Sequence, residues 1–248
     1  MENYTIAESY ELPSKGKIYS QAVNPNVRLR SMTTEEEMKR LGHSERPNEL
    51  LAEIIDECLI EKPGIKSYDL CVADYQYLMY KLRVVTYGPN YNVTTVCPIC
   101  GRPSEHTIDL DKLELITFSD ELNTHLNITL PVTGKNIELR LQTPRMLDEV
   151  NKKSKDLLAK SPDIKGEPAI LFNIISMISK VDGQIVDEFK LESFVRKLPM
   201  KDTNFILNNI KAINFGFSNK IHCTCKHCKS EFDTTLPITG EFFGPTIY

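Results

Sequence analysis

Two cysteine pairs, Cys97 and Cys100 in "CPIC" and Cys225 and Cys228 in "CKHC", are the residues best suited by type and spacing to do chemistry. One C-x-x-C knuckle supplies half of a tetrahedral metal site. Two supply four thiolates at about 2.3 Å from a zinc ion, with no coordination position left open. The expected site is therefore a structural zinc held by Cys97, Cys100, Cys225 and Cys228. Buried thiols, a redox pair and an iron–sulfur site are the alternatives that such pairs leave open. A thioredoxin-like centre is the poorest of these, because neither knuckle opens a helix in a βαβ pattern.

The neighbours of the knuckles divide by role. Cys223 is a spare thiol that could replace Cys225 as a ligand. His222 and His227 read as solvent-facing or supporting groups, and Lys226, His227 and Lys229 offset the charge of a four-thiolate site. His106 reads as loop surface. Cys58 and Cys71 fall in apolar helical patterns and are expected in the core.

The elements that position the cysteines must bridge the 124 residues between the pairs. An internal duplication explains that gap. Laid over itself so that Cys97 meets Cys225, the chain aligns "DLCVADYQYLMYKLRVVTYGPNYNVTTVCPIC" with "KLPMKDTNFILNNIKAINFGFSNKIHCTCKHC" without a break. Asp74 and Asp202 stand where helix N-caps are expected, and Gly88 and Gly216 where a glycine ends a helix. The apolar residues between them recur at helical spacing, so each copy predicts a capped amphipathic helix. Upstream, "ELPSKGKIYSQAVNPNVRLRSMTTEEEM" corresponds to "TLPVTGKNIELRLQTPRMLDEV": strand, turn, a second strand with Arg28 or Arg140, then a Thr-initiated helix. "NELLAEIIDECLI" and "PAILFNIISMISKV" supply a core helix to each copy.

The fold expected is α+β, with two pseudo-symmetric repeats of β-hairpin, helices and strand-knuckle joined by a shared zinc-ribbon-like site. The first repeat spans residues 1–120, the second 121–235, and an apolar aromatic tail 236–248. "LPVTG" at 130 and "LPITG" at 236 resemble sortase signals, but neither is followed by an apolar span and a basic tail. With "LPSKG" at 12 they read as a recurring strand-to-turn element in which Gly16, Gly134 and Gly240 supply the turn.

Composition narrows the function. The 248 residues are 41% hydrophobic, enough for a sizeable core, and a net charge of -4 disfavours a phosphate-neutralising surface. No secretory signal or membrane span is read, so a soluble protein made in the cytosol is expected. Five of the seven cysteines fall in the two clusters, which suits metal binding in a reducing compartment better than a disulfide framework. The chain has no Gly-rich phosphate loop, H-E-x-x-H or G-x-S-x-G, so no enzyme is expected. Glu35, Glu36 and Glu37 after Thr33 read as a solvated helix start.

The run "YELPSKGKIY", "VRLRSMTTEEEM", "YQYLMYKLRVVTYGP" and "VCPICG" resembles the T4-type bacteriophage base plate hub family, most clearly over residues 10–115 and again over 128–235. The resemblance implies a non-enzymatic virion or assembly protein of the contractile tail, made in the host cytoplasm and bound to other base plate or tail proteins. No membrane and no small-molecule substrate are expected as partners, and nucleic acid is disfavoured by the charge. The hairpins, the "GHSERP" and "SPDIKGEP" loops and the tail are the expected contact surfaces. A zinc-ribbon nucleic-acid-binding or transcription-associated protein is one rival reading, resting on Arg83, Lys211, Lys220, Lys226 and Lys229. A tail chaperone absent from the finished particle is the other.

Overall fold

The structure is a computed structural model, and it describes residues 5–161, 163, 166–236, 238 and 240–244. Part of the "SPDIKGEP" loop and part of the C-terminal tail, including the last four residues, lie outside the described residues.

The chain opens with strands β1 (Ala7–Glu11) and β2 (Asn26–Arg30), helices α1 (Thr34–Arg40) and α2 (Pro47–Cys58), and strand β3 (Leu59–Glu61). Helix α3 (Val72–Tyr87) then leads into the hairpin β4 (Asn90–Val96) and β5 (Pro103–Asp109), and β6 (Leu115–Ile116) follows. A 3-10 helix, Asp120–Leu126, carries the chain into β7 (Asn127–Thr129), β8 (Asn136–Leu139), α4 (Pro144–Lys160), α5 (Ala169–Met177) and β9 (Ile178–Val181). After α6 (Glu188–Arg196) and α7 (Met200–Ala212), β10 (Gly216–Phe217) precedes the hairpin β11 (Lys220–Thr224) and β12 (Glu231–Thr235).

The two halves run in similar order. β1, β2 and β3 form an antiparallel sheet, as do β7, β8 and β9, and each sheet has a register shift on its middle strand, at Arg28/Leu29 and at Glu138/Leu139. That bulge aligns Leu29 with Leu139, so the arginine matching Arg140 is Arg30 and not Arg28. Arg30 Nη2 donates to Glu57 O and Arg140 Nε to Ser176 O, each two residues before the third strand.

Thr33 and Thr143 cap α1 and α4 through their hydroxyls, as their sequence positions predict. The expected solvated start of α1 is corrected, because Glu36 is buried. It closes a capping box on Thr33 and accepts from Arg30 at 2.6 Å, which holds its carboxyl down to about 2.

Asp74 and Asp202 are not N-caps. Cys71 and Pro199 precede α3 and α7, which places both aspartates inside the first turn, fully buried and facing the LPxxG turns. Asp74 accepts from Ser14 N at 2.9 Å, from the Ser14 hydroxyl and from Tyr19 OH at 2.6 Å. Asp202 accepts from Val132 N at 2.8 Å and Thr133 N at 3.0 Å. A turn with free N–H groups needs an acceptor once it is buried, and the carboxylate supplies it. The third turn departs from this pattern, since Gly240 opens a 3-10 helix, Gly240–Phe243.

Gly88 ends α3 with φ +85, but Gly216 lies three residues beyond the cap of α7, in β10, against Ala73. α3 is not amphipathic: residues from Tyr75 to Val85 are buried around most of its circumference, as in a central core helix.

One core gathers Ile54, Ile55, Leu78 and Leu82 with Ile221, Cys223 and Phe232 of the last hairpin. A second holds Ile128, Ile137, Leu139, Phe172 and Ile206, and a small third one joins Cys71 and Phe118 to Ile213 and Phe215. Phe242 packs on Tyr80 and Tyr91 at ring distances of 5.1 and 5.2 Å and is 1% exposed. This part of the tail is thus core structure and not a free contact surface. The halves also meet at Asp148, whose carboxylate accepts from Asn48 Nδ2, Glu49 N and Tyr68 OH.

Candidate metal centre

Each knuckle is the tip of a two-stranded hairpin. β4 and β5 pair from Asn90↔Asp109 to Val96↔Pro103, and β11 and β12 from Lys220↔Thr235 to Thr224↔Glu231. The turns close alike: Cys97 N donates to Arg102 O and Gly101 N to Cys97 O, while Cys225 N donates to Ser230 O and Lys229 N to Cys225 O. The residue after each second cysteine is left-handed, with φ +69 at Gly101 and +62 at Lys229. Glycine adopts that conformation freely and lysine at a cost.

The tips meet. Cys97 Sγ lies 3.7 Å from Cys228 Sγ, Cys100 Sγ lies 3.7 Å from Cys225 Sγ, and all four sulfurs fall within 4.8 Å of one another. All four thiols are free, and a disulfide would require about 2.05 Å. Four ligands at about 2.3 Å around a tetrahedral ion lie about 3.8 Å apart, the spacing of the Cys97–Cys228 and Cys100–Cys225 pairs, and the four sulfurs together are close enough to converge on one metal.

The electrostatics favour a cation. The Ser230 hydroxyl and N–H hold the Cys228 thiol down to about 6, and the Cys228 and His227 N–H groups hold Cys225 below its ordinary value. The Arg102 N–H also favours the Cys100 thiolate. Desolvation and the three neighbouring sulfurs outweigh it and push that thiol up to about 11. Thiolates packed this closely repel one another, and a divalent ion at their centre reverses the balance.

The other residues expected near the metal settle elsewhere. Cys223 is buried in the core, on the inward face that alternates with exposed Lys220, His222 and Thr224. His222 pairs with Asp233 at 2.9 Å. His227 Nε2 lies 3.1 Å from Pro103 O, and Lys226 N donates to the Ser104 hydroxyl, so the second knuckle is stitched to the first without metal. His106 is corrected from loop surface to a half-buried residue of β5 that packs edge-on against Phe232. Cys58 is core, whereas Cys71 also caps α3. Arg83 leaves the expected basic face, being buried with its guanidinium on Gly88 O and Asn90 O.

The return strands β5 and β12, with Ser104 and Ser230, were missed by sequence reasoning. Alternation in "SEHTID" and "EFDTT" was the available signal.

The sequence matches the family model described as T4 bacteriophage base plate protein over residues 3–244. The chain belongs to that family. Neither a curated protein nor a solved structure matches it. Membership makes it a phage protein related to the T4 base plate, which accords with a structural, non-enzymatic place in the virion tail among other tail proteins. Among the described residues, no helix is long and apolar enough to cross a membrane.

Proposed function

We propose that this base plate family member is a non-enzymatic structural or assembly component of the hub region of a contractile tail, binding other tail proteins. In this reading, residues 1–120 and 121–235 are two repeats, and one zinc ion on Cys97, Cys100, Cys225 and Cys228 fastens them. The observation that carries it is the meeting of four sulfurs from knuckles at distant points of the chain, all within 4.8 Å and two pairs of them at 3.7 Å, near the edge length of a single tetrahedral site. The matched sheet bulges and the two aspartate-held turns support the duplication.

Zinc in such a site would supply four bonds and no reaction, because a closed thiolate set leaves no position for substrate. The chain's own groups do the remaining work. Ser230 and the knuckle N–H groups favour thiolate, and Ser104 and His227 hold the hairpins in register.

Metal analysis of the purified protein tests the site. One zinc per chain is expected, lost in Cys97→Ser and in Cys225→Ser alike; metal that survives either change would place the ligands elsewhere. Mass spectrometry of purified tails tests the role. A fixed stoichiometry is expected, and absence from tails that needed the protein for assembly would make it a chaperone.

A further inference from the structure

We propose that the cleft over Arg140 is a docking site for a segment of another tail protein that carries one carboxylate beside an apolar side chain. The inference rests on the base plate reading above and names the chemistry of one contact.

It comes from a group present in one half and missing from the other. Arg30 and Arg140 follow the same sheet bulge and bond the matching carbonyls, Glu57 O and Ser176 O. Arg30 is then completed by Glu36, three residues after the capping Thr33. Three residues after the capping Thr143 stands Met146. Among the described residues, Arg140 therefore has no carboxylate, and its only side-chain hydrogen bond goes to Ser176 O.

Arg140 and Met146 instead border a cleft of about 300 Å³ with Val150, Phe172, Ile178 and Leu191. Its other two cations are already engaged, Arg145 with Asp69 and Lys153 with Glu188. Glu149, one turn beyond Met146, shares the cleft and among the described residues makes no ion pair, so a single incoming carboxylate suits the site better than an acidic run. Ile185, which lines the cleft, is 82% exposed, and Val186 lies beside it. A guanidinium lacking its acid, an apolar floor and an apolar rim together select an acidic residue with an apolar neighbour.

The test uses the full chain and overlapping peptides covering the other tail proteins of the same phage, read by fluorescence anisotropy. Each hit is remade with Gln or Asn for its acid and measured against Arg140→Met and Met146→Glu. Met146→Glu gives Arg140 an acid of its own, as Glu36 does for Arg30, so it should fold, keep its metal content and block the cleft. The expected result is a hit whose affinity falls about tenfold or more on amidation and in both variants. No hit, or hits indifferent to Met146→Glu, would overturn the proposal. Self-association sensitive to Met146→Glu would overturn it in favour of a second copy as occupant. Tail incorporation separates the two readings: a wild-type chain with no part in tails defeats the base plate role, whereas equal incorporation of wild type and Met146→Glu defeats only the cleft.

Discussion

Asp74 in the first half and Asp202 in the second each hold an LPxxG turn against the start of a helix, yet their carboxylates sit in opposite electrostatic settings. Around Asp74 burial dominates and raises its pKa, although Ser14 and Tyr19 donate to it. Around Asp202 burial also pushes upward, but the Val132 N–H and the hydroxyl and N–H of Thr133 outweigh it and leave the carboxyl below its ordinary value. The same contrast recurs at Arg30 and Arg140 and at Gly101 and Lys229. At these paired positions the backbone geometry is alike while the side chains that satisfy it differ. Positions where the satisfaction is incomplete in one half are therefore the informative ones.

The largest expected effect removes the point where both halves are used equally. Cys97→Ser and Cys225→Ser should each abolish metal binding, since a structural site with three thiolates loses most of its affinity. A difference between them would break the equivalence, for instance if Cys223 replaced Cys225 but nothing replaced Cys97. Next in size is Phe242→Ala, which empties a site against Tyr80 and Tyr91 and should cost about 3–5 kcal/mol. Hydrogen exchange should then quicken in α3, in the core that Phe242 covers, more than in α5 of the other core. Equal quickening in both would show that the two cores open as one.

How much of this was legible depended on whether the signal was local. Helix caps at Thr33 and Thr143, the glycine ending α3 and each C-x-x-C knuckle could be read because each rests on a few adjacent residues. Asp74 and Asp202 were misread as caps because their partners, Ser14 and Val132, are distant in sequence. A buried turn calling for an acceptor leaves no local trace. The same holds for Phe242, whose burial depends on α3 and β4, and for Glu36, whose partner Arg30 belongs to the preceding strand. The burial of α3 on most sides was hidden by Tyr75, Tyr77, Tyr80 and Arg83, which lower its apparent apolarity while their rings and stem fill the core.

The aspartates predict opposite pH behaviour. Asp202 has a depressed folded pKa, so its contribution is present above the unfolded value near 3.9 and is lost as pH falls through the folded value. Asp74 has a raised folded pKa, so its contribution is favourable at low pH and is lost as pH rises through the folded value. Asn substitutions sharpen the contrast. In Asp74→Asn the new amide can take the place of Oδ2, where the Ser14 and Tyr19 hydroxyls can rotate to accept, whereas both oxygens of Asp202 accept a backbone N–H, so in Asp202→Asn the amide must face one. At neutral pH, Asp202→Asn should lower the unfolding temperature more than Asp74→Asn, and the gap should narrow in acid. The reverse order would mean that the charge on Asp74 is needed where it is buried.

The smallest effect concerns the two knuckle turns. Gly101 and Lys229 share a left-handed backbone, and a Cβ at Gly101 would meet nothing within 4 Å, so the cost of a side chain there is conformational and not steric. Gly101→Ala should therefore destabilise the protein by about 1 kcal/mol, and Lys229→Gly should stabilise it by a similar amount. Lysine at this strained place also sets a cation one residue from the Cys228 thiol. If that charge is its purpose, Lys229→Gly will raise the unfolding temperature and weaken metal binding together, most visibly at low ionic strength. Gly101→Ala, which changes no charge, will alter the first quantity and leave the salt dependence of the second as it was.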